Sequence, residues 1–373
     1  MNKVAVSTII GTTLLGLAKP VTRNKNLHKA KKAKNDEFYT QIGSIEKELR
    51  HYKDQFKGKK VFCNCDDPAE SNFWKYFSLN FEFLGLKRLV TTHYKEDSST
   101  YSLEINLEDG KPVERKTKLK QNGDFRSDES LAILAECDIV VTNPPFSLFR
   151  EYMEVLMESG KKFLVIGNNN AITYKGIFKH IYEGNLWLGL HSNKTMEFKI
   201  PDYYTKWNRE DDQGNRFGKV PACSWFTNME HKKRQEEIIL FRTYKGNETD
   251  YPKYDNYDAI EVSKVKNIPK DYYGVMGVPI TYLTKHNPDQ FEIIGITAGR
   301  DEHESKPSKR YVNAKQHSTE GRITNGSKAN TRSTIKHENK PNTTYYTADN
   351  CDGFLTINYA RILIKRKLNQ QGE

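Results

Sequence analysis

Cysteine is scarce in this chain and falls in no ligand pattern. Five occur in 373 residues, at Cys63, Cys65, Cys137, Cys223 and Cys351. The number is odd, no CxxC pair exists, and no histidine lies at ligand spacing. A disulfide framework and a metal site are therefore not expected, and reduced thiols in a cytoplasmic protein are. Internal repeats are absent, which excludes a solenoid or propeller. The apolar, Thr/Gly-rich stretch from Val4 to Ala18 is shorter than the roughly 20 residues that span a bilayer. It follows a weak basic region, Asn2-Lys3, and meets no small-x-small cleavage site before Lys19-Pro20, which argues against a secretory signal. A later start at Val21, read from a GUG codon, would open the chain on its basic segment. A glycine-rich turn after the first predicted strand is also missing. Glycine lets backbone approach a pyrophosphate closely, so this absence argues against a dinucleotide or a nucleoside triphosphate and leaves room for a ligand without phosphates.

Positive charge, by contrast, is abundant. Formal net charge is +11, with 29% charged and 12% aromatic residues. A basic, aromatic-rich chain fits a nucleic-acid partner, and a generally basic enzyme fits equally. The length allows a sizeable core and two domains. Residues 23–34 read RNKNLHKAKKAK. Arg23, Lys25, Lys29, Lys31, Lys32 and Lys34 are candidates for an arm on DNA phosphates, with a solvated helix face as the plain alternative.

Asn35-Asp36-Glu37-Phe38-Tyr39-Thr40 leads into a helical stripe, Ile42, Ile45, Leu49, Tyr52 and Phe56, stopped by Gly58. Adjacent aromatics at a helix entrance are usually core, but here they also stand where they could wall a pocket. Val61 to Pro68 reads as a first strand running into a polar loop, Asn64-Cys65-Asp66-Asp67, before a helix from about Ser71 to Phe83. Capping is the simple role for the two aspartates. Lys87 to Thr92 looks like a second strand, and residues 95–120 like a hairpin or insertion. Gly123-Asp124-Phe125 precedes a helix from Glu129 to Glu136, and spacing alone favours Asp124 as its cap. Further apolar runs follow at 162–167, 186–190, 196–201 and 222–227, with helical stripes at 149–157 and 177–181. This alternation is that of an α/β domain with a largely parallel, doubly wound sheet. Beyond about Glu230 tyrosine and lysine dominate. Residues 301–350 are polar and basic enough that, alone, they could be disordered; Phe291 to Ile296 and Phe354 to Ile364 around them read as strands.

Asp138-Ile139-Val140-Val141-Thr142-Asn143-Pro144-Pro145-Phe146 organises the rest. Ile139 to Val141 form a β-branched strand, the fourth of such a sheet, and two prolines stop it. The loop presents a carboxamide, carbonyls and an aromatic face at the carboxyl end of a strand, where open α/β sheets bind ligands. An exocyclic amino nitrogen on a base is a poor nucleophile because its lone pair is delocalised into the ring. Two acceptors on its N–H bonds, the Asn143 side-chain oxygen and the Pro144 carbonyl, would localise that lone pair. Phe146 offers a surface for base stacking, worth roughly 1–3 kcal/mol. No metal is needed, and the electrophile must carry its own activation, as a sulfonium methyl does. A base within a duplex would have to be flipped out.

The chain resembles the EcoRI-type adenine-specific DNA methyltransferases. The likeness runs through LHKAKKAKNDEFYTQ at 27–41, VFCNCDDP at 61–68, SNFWKYF at 71–77, GDFRSDES at 123–130, DIVVTNPPFSLFREY at 138–152, YPKYDNYDAI at 251–260, GVMGVPIT at 274–281 and ARILIK at 360–365. It implies S-adenosylmethionine as cofactor. Phe38, Tyr39 and Thr40 match the motif at its methionine end. Asn64, Cys65, Asp66 and Asp67 stand in the place of the usual glycine-rich motif. Asp124 and Phe125 match the motif that reads its adenine, and Asn143, Pro144, Pro145 and Phe146 match the catalytic motif. The usual acid at the end of the second strand is replaced by Thr92-His93-Tyr94.

The resemblance implies a seven-stranded, mostly parallel methyltransferase-like sheet over residues 35–230, preceded by an apolar leader and basic arm at 1–34. A mixed, β-rich recognition domain is expected over 231–373. The implied activity is methylation of adenine N6 in double-stranded DNA by a soluble, cytoplasmic monomer. The implied setting is restriction–modification, with a nuclease acting separately on the same site, or phage DNA modification. Cytosine N4, RNA or protein glutamine methylation and a non-catalytic DNA-binding relative are the alternatives.

Overall fold

The computed structural model describes residues 38–95, 100–174, 176–201, 204, 207–298 and 306–368. In chain order the first unit comprises β1 (Tyr39–Thr40), α1 (Ile42–Leu49), β2 (Lys60–Cys63), α2 (Asn72–Leu79), β3 (Arg88–Thr92), β4 (Tyr101–Glu108), β5 (Lys111–Lys118) and α3 (Asp128–Glu136). It continues with β6 (Ile139–Thr142), α4 (Phe149–Ser159), β7 (Lys162–Asn168), α5 (Ile177–Tyr182), β8 (Trp187–Leu188), β9 (Lys194–Lys199), β10 (Arg209–Glu210) and β11 (Arg216–Thr227). The strands form one sheet in the order β1-β9-β11-β7-β6-β2-β3-β4-β5, with β8 and β10 also paired to β11.

In this sheet only β3, β2, β6 and β7 run parallel to one another, among the described residues. The expected seven mostly parallel strands are therefore corrected to eleven in a mixed sheet, among the described residues. The extra strands come from the 101–118 hairpin, which extends one edge antiparallel, and from short pairings around β11. The strand before Asn143 is the third of the four parallel strands rather than the fourth.

Each parallel strand is apolar on both sides, as burial between two layers requires. Val61, Ile139, Val141, Leu164 and Ile166 pack with α1 and α2 through Ile45, Leu49, Phe73 and Phe77. Their neighbours Phe62, Val140, Phe163 and Val165 pack with α3, α4 and α5 through Leu134, Tyr152, Leu156 and Phe178. From β2 the chain crosses to β3 on one side, then returns to β6 on the other. The winding thus reverses between β2 and β6, and a crevice opens outside their carboxyl ends.

Helix α2 ends at Leu79, four residues short of the expected Phe83, because Leu84 and Leu86 fold back onto Asn80 and Phe81. Phe83 is exposed. Ser71 caps α2 by accepting from the Phe73 and Trp74 N–H groups.

Beyond residue 230 lie β12 (Ile260–Glu261), β13 (Met276–Pro279), β14 (Phe291–Ile296), β15 (Lys315–His317), β16 (Ile323–Asn325), β17 (Thr334–His337), β18 (Tyr345–Ala348), β19 (Cys351–Ile357) and β20 (Arg361–Arg366). Two sheets result, β12-β13-β20-β14 and β16-β15-β18-β19-β17. Met276, Val278, Phe291, Ile362 and Ile364 of the first join the same apolar cluster as α4 and α5. The second is built mostly from the stretch whose composition allowed disorder. It folds around Tyr311, Ala329, Tyr346 and Leu355, and the YPKYDNYDAI segment fixes it. Asn256 accepts from the Thr334 N–H at 2.8 Å, and Asp255 accepts from the Tyr311 hydroxyl at 2.7 Å and from Lys309 at 2.9 Å. The leader and basic arm of residues 1–34 lie outside the described residues, as do Arg23, Lys25, Lys29, Lys31, Lys32 and Lys34. Among the described residues no helix is long and apolar enough to cross a membrane.

Candidate active site

The loop after β6 is held by its first residue. Asn143 is buried, and its Nδ2 donates to the Phe38 carbonyl at 2.6 Å. Only the amide nitrogen can donate there, so Oδ1 faces the other way, buried and without a hydrogen-bond partner. Pro144 and Pro145 are also buried, and Phe146 opens a short 3-10 turn that feeds α4. A bare acceptor in a buried site is unfavourable unless a ligand donor meets it.

β1 lies across the crevice. Its pairing with β9 brings Thr40 opposite Phe198, and Asn72 Nδ2 donates to the Thr40 carbonyl at 2.7 Å. Phe38 thereby meets Phe146 at 5.8 Å, Phe198 at 5.9 Å and Tyr204 at 5.4 Å between ring centroids. These four rings wall the space beside Asn143. Thr40 Oγ1 is a second buried oxygen with no hydrogen-bond partner.

The 64–67 loop closes the other side. The Thr142 hydroxyl donates to one Asp66 carboxylate oxygen and Ser71 Oγ donates to the other at 2.8 Å. Burial pushes the Asp66 carboxyl up to about 7, against the lowering effect of the two hydroxyls. Thr91 Oγ1 donates to the carbonyls of Cys63 and Asp66. The Tyr152 hydroxyl donates to Asn64 Oδ1 at 2.6 Å, and burial raises its pKa. Asp67 accepts from the Ala69 N–H at 2.9 Å, and its other oxygen faces His93 Nε2 at 3.5 Å. His93 in turn contacts Thr100 Oγ1 at 2.5 Å and stacks on Tyr101.

Asp124 and Phe125 reach this loop through Tyr152, whose ring meets Phe125 edge-on at 5.1 Å. Phe125 is buried. Asp124 is not the cap of α3; Ser127 takes that role. The Asp124 carboxylate instead accepts both from the backbone N–H of Arg126 and from its guanidinium. Gly123, at φ +75°, packs so tightly that a Cβ would lie 2.2 Å from the His93 carbonyl oxygen. Cys65 is half-buried.

Phe198, Tyr204, Thr142 and Tyr152 take part in this site, yet sequence reading gave them no role. Tyr152 closes the DIVVTNPPFSLFREY match, so a signal was present. Phe198 and Tyr204 carried none, because only the pairing of β1 with β9 sets them beside Phe38. Among the described residues no group of His, Cys, Asp and Glu could hold a metal ion.

The crevice sets carboxylates and bare oxygens where a phosphate ligand would need cations. Acceptors of this kind suit hydroxyls, an ammonium and amino groups. Fold and site together are those of a methyltransferase. The family described as adenine-specific methyltransferase EcoRI matches residues 26–367, and the chain belongs to it. It is similar to the Type II methyltransferase M.EcoRI of Escherichia coli, 49% identical over 297 residues, which cover 75% of this chain and 91% of that protein. It is also similar to the Type II methyltransferases M.MpnI of Mycoplasma pneumoniae, 45% identical over 276 residues, and M.MgeORF184P of Mycoplasma genitalium, 44% over 278. Those two matches each cover 73% of this chain, and 85% and 86% of the relatives. The chain is thus an enzyme, a site-specific adenine-specific DNA methyltransferase.

Proposed function

We propose that this enzyme transfers a methyl group from S-adenosylmethionine to N6 of an adenine flipped out of duplex DNA. We place it in a restriction–modification pair, or as a solitary or phage-borne modification enzyme. The carrying observation is the buried, unpartnered Asn143 Oδ1 beside the Phe38, Phe146, Phe198 and Tyr204 rings. That oxygen accepts one N–H of the target amine, and the Pro144 carbonyl accepts the other. The nitrogen lone pair is then aimed away from the ring plane. Phe146 receives the base by stacking, since a base must leave the duplex to reach such a loop.

The residues present fit S-adenosylmethionine. Phe38, Tyr39 and Thr40 would line its methionine end, with Thr40 Oγ1 able to pair with a polar group there. Asn64, Cys65, Asp66 and Asp67 would lie along its ribose, and Asp124 and Phe125 near its adenine. Bound there, it supplies a sulfonium methyl that needs no further activation. The protein's share is positioning and exclusion of water.

Mass analysis of nucleosides from DNA and RNA incubated with enzyme and S-adenosylmethionine tests this reading. 6-Methyladenine in DNA alone is expected. 4-Methylcytosine, or methylation confined to RNA, would overturn it.

A further inference from the structure

The sheet β16-β15-β18-β19-β17 buries one face; its other face is open around β15 and β18, while Ile335 of β17 packs against the Tyr254, Tyr257 and Leu363 cluster. Tyr346 and Leu355 point into its core. The opposite positions carry Lys315, His317, Ile323, Asn325, Ile335, His337, Tyr345, Thr347, Phe354 and Thr356, an assignment fixed by register and by side-chain contacts. His317 stacks on Tyr345 at 4.6 Å with rings 3° apart, and Phe354 meets Tyr345 edge-on at 5.3 Å. Lys340 lies over the Tyr345 ring at 5.4 Å. Lys315 and Lys340 are exposed. Asp352, which alternates with core-facing Cys351 and Leu355 in β19, is the carboxylate on this side, two strands across from Lys315. Residues 306–358 as a whole hold nine Lys and Arg against four Asp and Glu.

We infer that this open face grips the backbone of duplex DNA, with Lys315 and Lys340 on phosphates and the His317–Tyr345 step between them. The inference rests on the proposed reading that DNA is the substrate. Lysine on an edge strand commonly guards against unwanted pairing, but β15 is an interior strand, between β16 and β18. Lys315 therefore serves no such purpose. An apolar partner would need a greasy face, whereas charge and half-exposed rings suit a polyanion with flat bases. Lys315 on β15 and Lys340 over Tyr345 of the adjacent β18 lie about one strand spacing, roughly 4.8 Å, apart across the sheet, which suits neighbouring phosphates of one DNA strand. The hydrogen bonds of Asp255 and Asn256 fix the sheet to the β12-β13-β20-β14 unit, so contacts made here orient the whole enzyme.

The test is DNA affinity as a function of salt, by fluorescence anisotropy with a random-sequence duplex. Each phosphate contact removed lowers the slope of log affinity against log salt by about 0.9. The Lys315→Ala/Lys340→Ala double variant is expected to lose about 1.8 from that slope. Its kcat at saturating DNA should match the wild type, and the Lys315→Arg/Lys340→Arg pair should restore the slope. A wild-type slope in the alanine pair, or tighter binding of RNA than of DNA by the wild type, would overturn the inference. Failure of the wild type to form 6-methyladenine would instead strike the proposed function, whatever the slopes.

Discussion

Thr142 donates its hydroxyl to the carboxylate of Asp66, which ties the strand leading into Asn143 to the loop after the first parallel strand. Asp66 is buried, and burial raises its carboxyl from 3.8 to about 7. Between these values the folded protein holds a proton that the unfolded chain has released. The native state binds more protons there, so this group's contribution to stability falls as pH rises from about 4 to 7 and then levels off. A shift of that size corresponds to at most about 4 kcal/mol. Urea unfolding of the wild type should show that loss, and Asp66→Asn, which cannot titrate, should show correspondingly less of it. Parallel pH profiles for the two proteins would rule this account out.

Glu48 is fully buried and accepts from the Tyr52 hydroxyl, the Leu190 and His191 N–H groups and the His191 ring. It locks α1 to the loop after β8. Glu48→Ala leaves those donors unpaired and should destabilise the protein by about 3 kcal/mol. Glu48→Gln keeps one acceptor and should cost less. Chemical denaturation measures both; an unshifted midpoint in the alanine variant would contradict the assignment.

Asp67 stands where the second strand supplies no acid of its own, with His93 behind it at 3.5 Å. On the proposed reading it lies along the cofactor's ribose. Asp67→Asn should raise the KM for S-adenosylmethionine roughly tenfold and leave kcat little changed, the pattern of lost uniform binding. Calorimetry with S-adenosylhomocysteine should show the same weakening. Unaltered KM and affinity would remove Asp67 from the cofactor site.

Much of this architecture was legible in the chain. The β-branched run before Asn143 and the glycine after Ser159 marked strand and helix correctly, because local sterics decide both. Capping of α2 fell to Ser71 rather than to Asp66 and Asp67, because Asp66 turns inward to Ser71 and Thr142. Phe38 and Tyr39 read as a helix entrance, since a two-residue strand has no alternation to detect. The pairing of Tyr39 with Lys199 and of Thr40 with Phe198 depends on contacts about 160 residues away. Glu48 gave no local signal, because its partners Leu190 and His191 reach it only in the fold. The 315–357 sheet was hidden for a similar reason. Its own core is small, and Asp255 and Asn256 from an earlier segment complete it.

The central claim is that Asn143 Oδ1 holds the amine that receives the methyl group. Single-turnover methyl transfer by Asn143→Ala, at saturating DNA and S-adenosylmethionine, tests it most directly. Loss of one acceptor aimed at the reacting nitrogen should slow transfer by at least about a hundredfold, while DNA binding survives. Transfer at near wild-type rate would contradict the mechanism.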